Sequence, residues 1–181
     1  MRLAAFLLAV LSTRAAQEQS LKETTVWLHD FIQANGSLLS ADRNWRDRYQ
    51  VAANGCEVTI LHDTEDLSCT KPKAACDGGP RVAAHHFQQV FNLKDIDLAG
   101  IAVEVNPTFR GETVNLKTFN ERPLITNSMT LADGGNFVKQ SSVDDDSRRA
   151  YVVLRTTEAA KRVAKAFQHA VRLCGGNSSR F

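Results

Sequence analysis

The 181-residue sequence lacks the short motifs that identify several large enzyme classes. It contains no G-x-S-x-G nucleophile elbow, no H-E-x-x-H zinc motif, no glycine-rich phosphate loop and no G-x-G-x-x-G dinucleotide fingerprint. A catalytic site assembled from scattered residues leaves no such trace, so the absences argue only against the classes that these motifs define. The sequence therefore predicts no catalytic, cofactor-binding or metal-binding residues, and no cofactor.

A strong excess of either charge is also missing. The chain has 22 basic and 20 acidic residues, and two of the basic ones, Arg2 and Arg14, lie in a segment that we expect to be removed. Taking these two away leaves 20 residues of each sign. A balanced and interspersed charge gives no electrostatic reason to expect binding to nucleic acid or to a strongly anionic membrane.

No apolar run is long enough to cross a membrane. The longest one, Leu3 to Leu11, follows the basic Arg2 and has about half the ~20 residues that a spanning helix needs. Small residues around Thr13-Arg14-Ala15 offer a cleavage point after Ala15 or Ala16, which completes the layout of a signal peptide. We therefore predict a signal peptide at 1–16, a single α+β domain at 17–181, export to the periplasm or the extracellular space, and no transmembrane segment after cleavage.

Cysteine is scarce, with four residues that allow three pairings. Cys69 and Cys76 bracket a short loop and need only a turn to pair, which would leave Cys56 for Cys174. We favour this arrangement over the other two, and export is compatible with disulfides. A zinc site is disfavoured because the sequence has no C-x-x-C pair.

Two amphipathic helices are expected at the ends of the domain. Ser20 and Glu23 form a capping-box pattern before a helix that stops at Asn35-Gly36. The second helix, Thr157 to Cys174, is the best-specified element, because apolar residues recur at helical spacing and Thr156 or Thr157 can supply its N-cap. Its apolar stripe includes Val163, Phe167 and Val171.

Between these helices the apolar residues alternate with period two, which is typical of strands. Asn54-Gly55 between two such runs, Tyr49–Ala52 and Cys56–His62, predicts a hairpin. The polar segment from Ser37 to Arg48, with Trp45 in it, is interpreted as a connector. Further strands are expected at Arg81–Leu93, Ile101–Val105, Glu112–Phe119, Pro123–Thr126, Phe137–Val138 and Tyr151–Arg155.

The order of helix, six or seven short antiparallel strands and helix predicts an α+β fold with a strongly bent sheet or a partly open barrel. An antiparallel meander closed by one C-terminal amphipathic helix resembles the pleckstrin-homology-like superfold. The resemblance implies that Val163, Phe167 and Val171 plug the open end of the barrel. Lipid-binding members of that family carry basic residues across the first hairpin, but YQVAANGCEVTI contains none, so phosphoinositide binding is not expected.

Two histidines are candidates for lining a pocket. His62 and His85 both lie at positions of apolar parity and titrate near physiological pH in their unperturbed state. The simplest hairpin pairing, however, places Arg81 opposite His62. His85 and His86 are adjacent in a strand and so point to opposite faces, which argues against chelation of one ion by this pair.

These features predict an exported, non-catalytic domain that contacts a protein or peptide through its loops or an exposed strand edge. The alternative is a small-molecule-binding or enzymatic α+β barrel in which a cavity lies under the C-terminal helix and His62 or His85 lines it. The partner, the ligand and the oligomeric state are left open by the sequence.

Overall fold

The computed structural model describes residues 2–40, 45–67, 84–133, 136–142 and 145–176. Within these ranges two helices, α1 (Arg2–Asn35) and α2 (Thr157–Leu173), flank nine strands. The strands are β1 (Ser37–Leu39), β2 (Trp45–Asn54), β3 (Glu57–Asp66), β4 (Ala84–Asn92), β5 (Ile96–Asn106), β6 (Gly111–Thr118), β7 (Thr126–Asp133), β8 (Asn136–Ser142) and β9 (Arg149–Leu154).

The strands form two antiparallel sheets, where the sequence predicted one bent sheet or a partly open barrel. One sheet has the order β1-β2-β3-β4-β7-β8 and the other β5-β6-β9, and the described strands close no barrel. The chain leaves the first sheet after β4 through a short 3-10 turn, Leu93–Asp95, in which Leu93 is completely buried. Because β5 and β6 then pair in the second sheet, the free edge of β4 is taken by β7. The α+β class and the two terminal helices are confirmed.

The first hairpin is confirmed, with a two-residue turn at its tip. Asn54 pairs with Glu57, and Gly55 and Cys56 connect them. Gly55 has φ 59° and Cys56 has no positive φ, which is the pattern of a type II′ turn with glycine in its preferred position. The twist of this turn matches that of the strands it joins.

Two predicted boundaries in the strand region are wrong. The segment interpreted as a connector contains β1 and the start of β2, and Trp45 pairs with Asp66. The start of β2 is a strand in which burial alternates from residue to residue, but its side chains are mostly polar, so the alternation is not visible as an apolar pattern in the sequence. The short strand predicted at Pro123–Thr126 is absent from the described chain, where β7 begins only at Thr126 and the backbone N–H of Ile125 bonds to Ser147 instead.

Helix α2 agrees closely with its prediction. The Thr156 side chain accepts a hydrogen bond from the Ala159 backbone N–H, as an N-cap should, and Gly175 ends the last turn with φ 74°. The helix packs between α1 and the three-stranded sheet. Its apolar stripe is completely buried at Val163, Phe167 and Val171.

Helix α1 is longer than predicted. It does not begin at Ser20 but continues through the segment predicted as a signal peptide, and it ends at Asn35 as expected. Where it runs beside α2, Gln17 donates a hydrogen bond to the Leu173 carbonyl and Ser20 lies 3.4 Å from Nε2 of His169. Neither helix in the described ranges has a stretch that is both long and apolar enough to span a membrane. The signal peptide stays a prediction.

One of the two predicted disulfides is confirmed. Cys56 is bonded to Cys174, which joins the tip of the first hairpin to the end of α2 across 118 residues of sequence. Cys69 and Cys76 lie outside the described residues, so their predicted pairing stays a prediction.

Candidate functional site

A row of aromatic rings crosses the middle of the six-stranded sheet. His62 on β3 lies opposite Tyr49 on β2 and Phe87 on β4. The His62 ring stacks on Tyr49 with centroids 4.3 Å apart and on Phe87 with centroids 5.4 Å apart. Tyr151 of β9 approaches both Tyr49 and His62 edge-on. Opposed side chains on neighbouring strands pack in this way, so both faces of the imidazole are covered.

Asp47 lies beside this row, two residues before Tyr49 and on the same face of β2. Its Oδ2 is 2.9 Å from Nε2 of His62, and its side chain is only 1% exposed. The contact is at ion-pair distance but is not an aligned hydrogen bond, because neither Asp47 oxygen has a hydrogen-bond partner among the described residues. A buried carboxylate without hydrogen bonds is costly unless a cation offsets it. His62 is the side chain placed to do so.

Tyr49 remains a neutral phenol in this environment. Burial raises the pKa of the Tyr49 hydroxyl far above its usual value, and the nearby Tyr151 and Asp47 raise it further by charge repulsion. A free tyrosine is already neutral at physiological pH, and the raised pKa keeps Tyr49 neutral in the folded protein at alkaline pH as well. Its ring gives His62 a flat surface to stack on.

A pocket of about 220 Å³ opens next to the aromatic row. Strands β3, β4, β7 and β9 contribute its lining, which consists of His62, Phe87, Gln88, Gln89, Asn127, Ser128, Met129 and Tyr151. None of these eight side chains is a lysine, arginine, aspartate or glutamate. The volume corresponds to roughly seven water molecules at ~30 Å³ each, so the pocket is large enough for a single-ring ligand.

Gln89 connects the two sheets at the floor of the pocket. Its Oε1 accepts a hydrogen bond from the Tyr151 backbone N–H, and its Nε2 donates to Asn127 Oδ1 at 3.0 Å and to the Arg149 carbonyl at 3.3 Å. Gln89 is therefore fully engaged although it is buried. Asn127, in contrast, keeps a buried Nδ2 that has no acceptor in the described part of the chain.

Of the two histidines that the sequence singled out, only one has a side chain that the structure describes. His62 lines the pocket. His85 lies on β4 opposite Thr64 and Leu131, and its side chain is outside what the structure describes. The pairing of Arg81 with His62 is wrong, because the register places Phe87 opposite His62. The prediction assumed the register of a simple hairpin, but β3 ends at Asp66 and β4 begins only at Ala84.

His86 belongs to the other face of the sheet. Its Nδ1 lies 2.6 Å from Oδ1 of Asp63, and both side chains are about two-fifths exposed. The argument against chelation by His85 and His86 stays a prediction, because the His85 side chain lies outside the described residues. In the described residues no group of three or more His, Cys, Asp or Glu side chains is placed to hold a metal ion.

Most of the pocket was missed by sequence reasoning. Asp47, which lies beside the aromatic row and not among the described residues that line the pocket, belongs to the polar stretch RDRY, and only its period-two relation to the buried Tyr49 and Val51 marks it as an inward position. Gln89 and Asn127 carry no comparable signal. Their roles depend on the pairing of β4 with β7, which joins segments that are far apart in the sequence.

The basic face of α2 is partly used inside the fold. Trp27 and Phe31 of α1 stack with centroids 4.5 Å apart, and the Arg162 guanidinium lies over both rings at 5.5 Å and 4.7 Å. Such cation–π contacts contribute about 0.5–1 kcal/mol at exposed sites. An open groove along this seam between the helices is lined in part by Glu23, Lys165 and His169.

Comparison with protein-family models, curated proteins and solved structures finds no significant match to this chain. Its function is therefore inferred from the site alone.

Proposed function

We propose that the protein is a non-catalytic binding domain whose pocket beside His62 takes a small ligand with a single ring. The observation that carries the proposal is the composition of the pocket. Aromatic and thioether side chains form its walls, at Phe87, Tyr151 and Met129, and a few amide and hydroxyl groups lie among them. Apolar walls with a small number of placed polar groups are typical of small-molecule sites.

An Asp–His pair can serve acid–base catalysis, and the enzymatic alternative would use Asp47 and His62 in that way. The surroundings of His62 favour binding instead. Tyr49 and Phe87 cover the two ring faces, Nε2 contacts Asp47 and Thr64, and Nδ1 is buried. Nε2 is thus engaged within the chain, and the described lining of the pocket holds no carboxylate and no second histidine to work with Nδ1.

The proposed ligand site differs in place from the cavity that the sequence suggested under the C-terminal helix. The apolar face of α2 is packed, with Phe167 completely buried, and the residues that line the pocket come from strands. Binding between the two sheets thus takes the place of binding beneath the helix.

Export and the pleckstrin-homology-like class belong to the same proposal. The Cys56–Cys174 disulfide supports an oxidising compartment, and the leader-like start of the sequence supports a signal peptide. Antiparallel sheets with a C-terminal helix support the fold class. The nine described strands and the β4–β7 pairing depart from a simple seven-stranded meander.

The test is to fill the pocket. Met129→Trp enlarges a side chain on the face of β7 that lines the pocket, and Val26→Trp places the same ring on the exposed surface of α1 as a matched control. Toluene and benzamide are titrated into each protein and followed by ligand-observed NMR. We expect binding to the native protein and to Val26→Trp, and at least tenfold weaker binding to Met129→Trp. Absence of binding to the native protein, or equal binding to Met129→Trp, would refute the proposal.

A second candidate function, contact with a protein through a strand edge, is favoured by one observation. Strand β5 is an edge of the three-stranded sheet, and its Val105 is 75% exposed. An exposed apolar edge strand can accept a further strand from another chain. A second copy of the protein is the simplest probe, and self-association that Val105→Lys abolishes in sedimentation would support this use. A protein that stays monomeric at millimolar concentration would count against it.

A further inference from the structure

We infer that the pocket selects an uncharged ring that carries a carbonyl oxygen, and that Asn127 donates the hydrogen bond that recognises this oxygen. The inference rests on the proposed function, since it names the class of ligand for the same pocket. It starts from the orientation of one amide side chain.

The hydrogen-bond chain at the pocket floor fixes which way the Asn127 amide points. The Tyr151 backbone N–H must donate to Gln89 Oε1, because a backbone N–H cannot accept. Gln89 therefore presents its NH₂ group to Asn127 and to the Arg149 carbonyl. Asn127 must accept this hydrogen bond with Oδ1, because a flipped Asn127 amide would place its own NH₂ group next to the NH₂ group of Gln89. This assignment follows from the network and does not depend on resolving oxygen from nitrogen.

The fixed orientation leaves Asn127 Nδ2 as a donor without an acceptor. The atom is buried, and no described residue accepts from it. Buried polar groups in native proteins nearly always have a hydrogen-bond partner. A buried group without one costs more free energy than a typical hydrogen bond contributes to stability. Because Asn127 lines the pocket, a ligand oxygen is the natural partner from outside the chain.

The charges around the pocket argue for a ligand without net charge. Among the described residues that line it, the only titratable side chains are His62 and Tyr151, and the His62 ring already lies 2.9 Å from Asp47. An anionic ligand would meet the buried Asp47 carboxylate behind His62. A cationic ligand would lose its hydration without meeting a carboxylate in the lining. Moving a charge out of water without a countercharge is strongly unfavourable.

The side chains that line the pocket indicate that the ligand contains a flat ring. Phe87 and Tyr151 offer aromatic walls and Met129 an adaptable apolar one. An engineered apolar cavity of about 150 Å³ in another protein binds benzene. A pocket of about 220 Å³ can therefore hold one ring and one small polar substituent.

The experiment compares four probes of nearly equal size. Toluene has no polar group, benzamide has a neutral carbonyl, benzoate is an anion and benzylamine is a cation. Dissociation constants are measured with the native protein by NMR titration, and the side-chain NH₂ signal of Asn127 is followed at the same time. One added hydrogen bond predicts that benzamide binds roughly three- to tenfold tighter than toluene. Benzoate and benzylamine should bind more weakly than benzamide, and the Asn127 signal should shift with benzamide.

Asn127→Asp tests the donor itself. The substitution retains an oxygen for Gln89 Nε2 but removes the NH₂ group, so we expect the preference for benzamide over toluene to disappear while toluene still binds. Asn127→Leu repeats the test without a new charge. Thr126→Ala, next to Asn127 on β7 but exposed and not among the described residues that line the pocket, is the control that should leave the preference unchanged.

The outcomes separate this inference from the proposed function. Equal affinity for toluene and benzamide, tighter binding of benzoate or benzylamine, or a preference that survives both Asn127 substitutions would overturn the inference. Each of those results would still leave a ligand-binding pocket. If none of the four probes bound, the proposed function would fail together with the inference.

Discussion

The core beneath α2 and the pocket beside His62 are neighbours, since β9 contributes to both, yet they are completed in different ways. In the core, Val152 and Leu154 of β9 pack with Phe167, and all three are completely buried. In the pocket, Tyr151 of the same strand lies among side chains that include unpaired buried atoms of His62 and Asn127. The core is satisfied by the chain itself. The described residues of the pocket leave polar groups for an external partner to satisfy.

The largest effect should come from opening the core. Phe167→Ala removes a completely buried ring that the surrounding helix and sheet cannot replace. We expect the free energy of unfolding to fall by about 3–5 kcal/mol, as measured by chemical denaturation. Lys161→Ala, on the exposed face of the same helix, is the matched control and should change it by less than about 0.5 kcal/mol. A loss below about 1 kcal/mol for Phe167→Ala would place the ring outside the core.

The next effect tests how much the Cys56–Cys174 disulfide contributes to the free energy of unfolding. The Cys56–Cys174 bond closes a loop of 118 residues in sequence, and a loop of that size restricts the unfolded chain strongly. The double variant Cys56→Ala/Cys174→Ala should lose about 2–5 kcal/mol of unfolding free energy. Either single variant should lose about as much, since one cysteine cannot form the bond. Unchanged stability of the double variant would show that the bond does not constrain folding.

A smaller effect should distinguish the buried Asp47–His62 pair from a similar pair in solvent. A double-mutant cycle with Asp47→Asn and His62→Gln should give a coupling of about 0.5–3 kcal/mol, because each single variant leaves the buried side chain of the other residue without its close neighbour. Asp63 and His86 form the matched control, at 2.6 Å but about two-fifths exposed. Their coupling should stay below about 1 kcal/mol. A coupling in the buried pair no larger than in the exposed pair would remove the special role of Asp47.

The same contrast explains how far the sequence could predict the structure. Helix α2, the first hairpin and the class of fold depend on local patterns: apolar spacing at Val163, Phe167 and Val171, and the turn at Asn54-Gly55. Such patterns are present in the sequence whatever the rest of the chain does. The division into two sheets is not local, because it depends on β7 taking the edge of β4 in place of β5. Consecutive strands are neighbours only about two-thirds of the time.

The site was harder to predict than the fold for the same reason. His62 could be picked out because a histidine at an apolar position is unusual. Asn127 and Gln89 are ordinary polar residues, and only the β4–β7 register brings them together. The sequence interpretation places Asp47 in a polar connector, and three of the four residues in RDRY are charged. Burial of one charge among exposed ones is decided by tertiary contacts.

The smallest predicted effect concerns Tyr49, the buried ring that stacks on His62 beside the pocket. Burial raises the pKa of Tyr49, so in the folded protein its phenol stays protonated at pH values where a free tyrosine ionises. Above about pH 10 the unfolded chain therefore releases a proton that the folded chain keeps, and stability falls as the pH rises. Between pH 10 and pH 11 this should cost the native protein about 1 kcal/mol more than it costs Tyr49→Phe, measured by denaturant titration at each pH. Because other groups also titrate in this range, only the difference between the two proteins counts. Equal losses in both would mean that water reaches the Tyr49 hydroxyl and that the phenol is not sealed inside the folded protein.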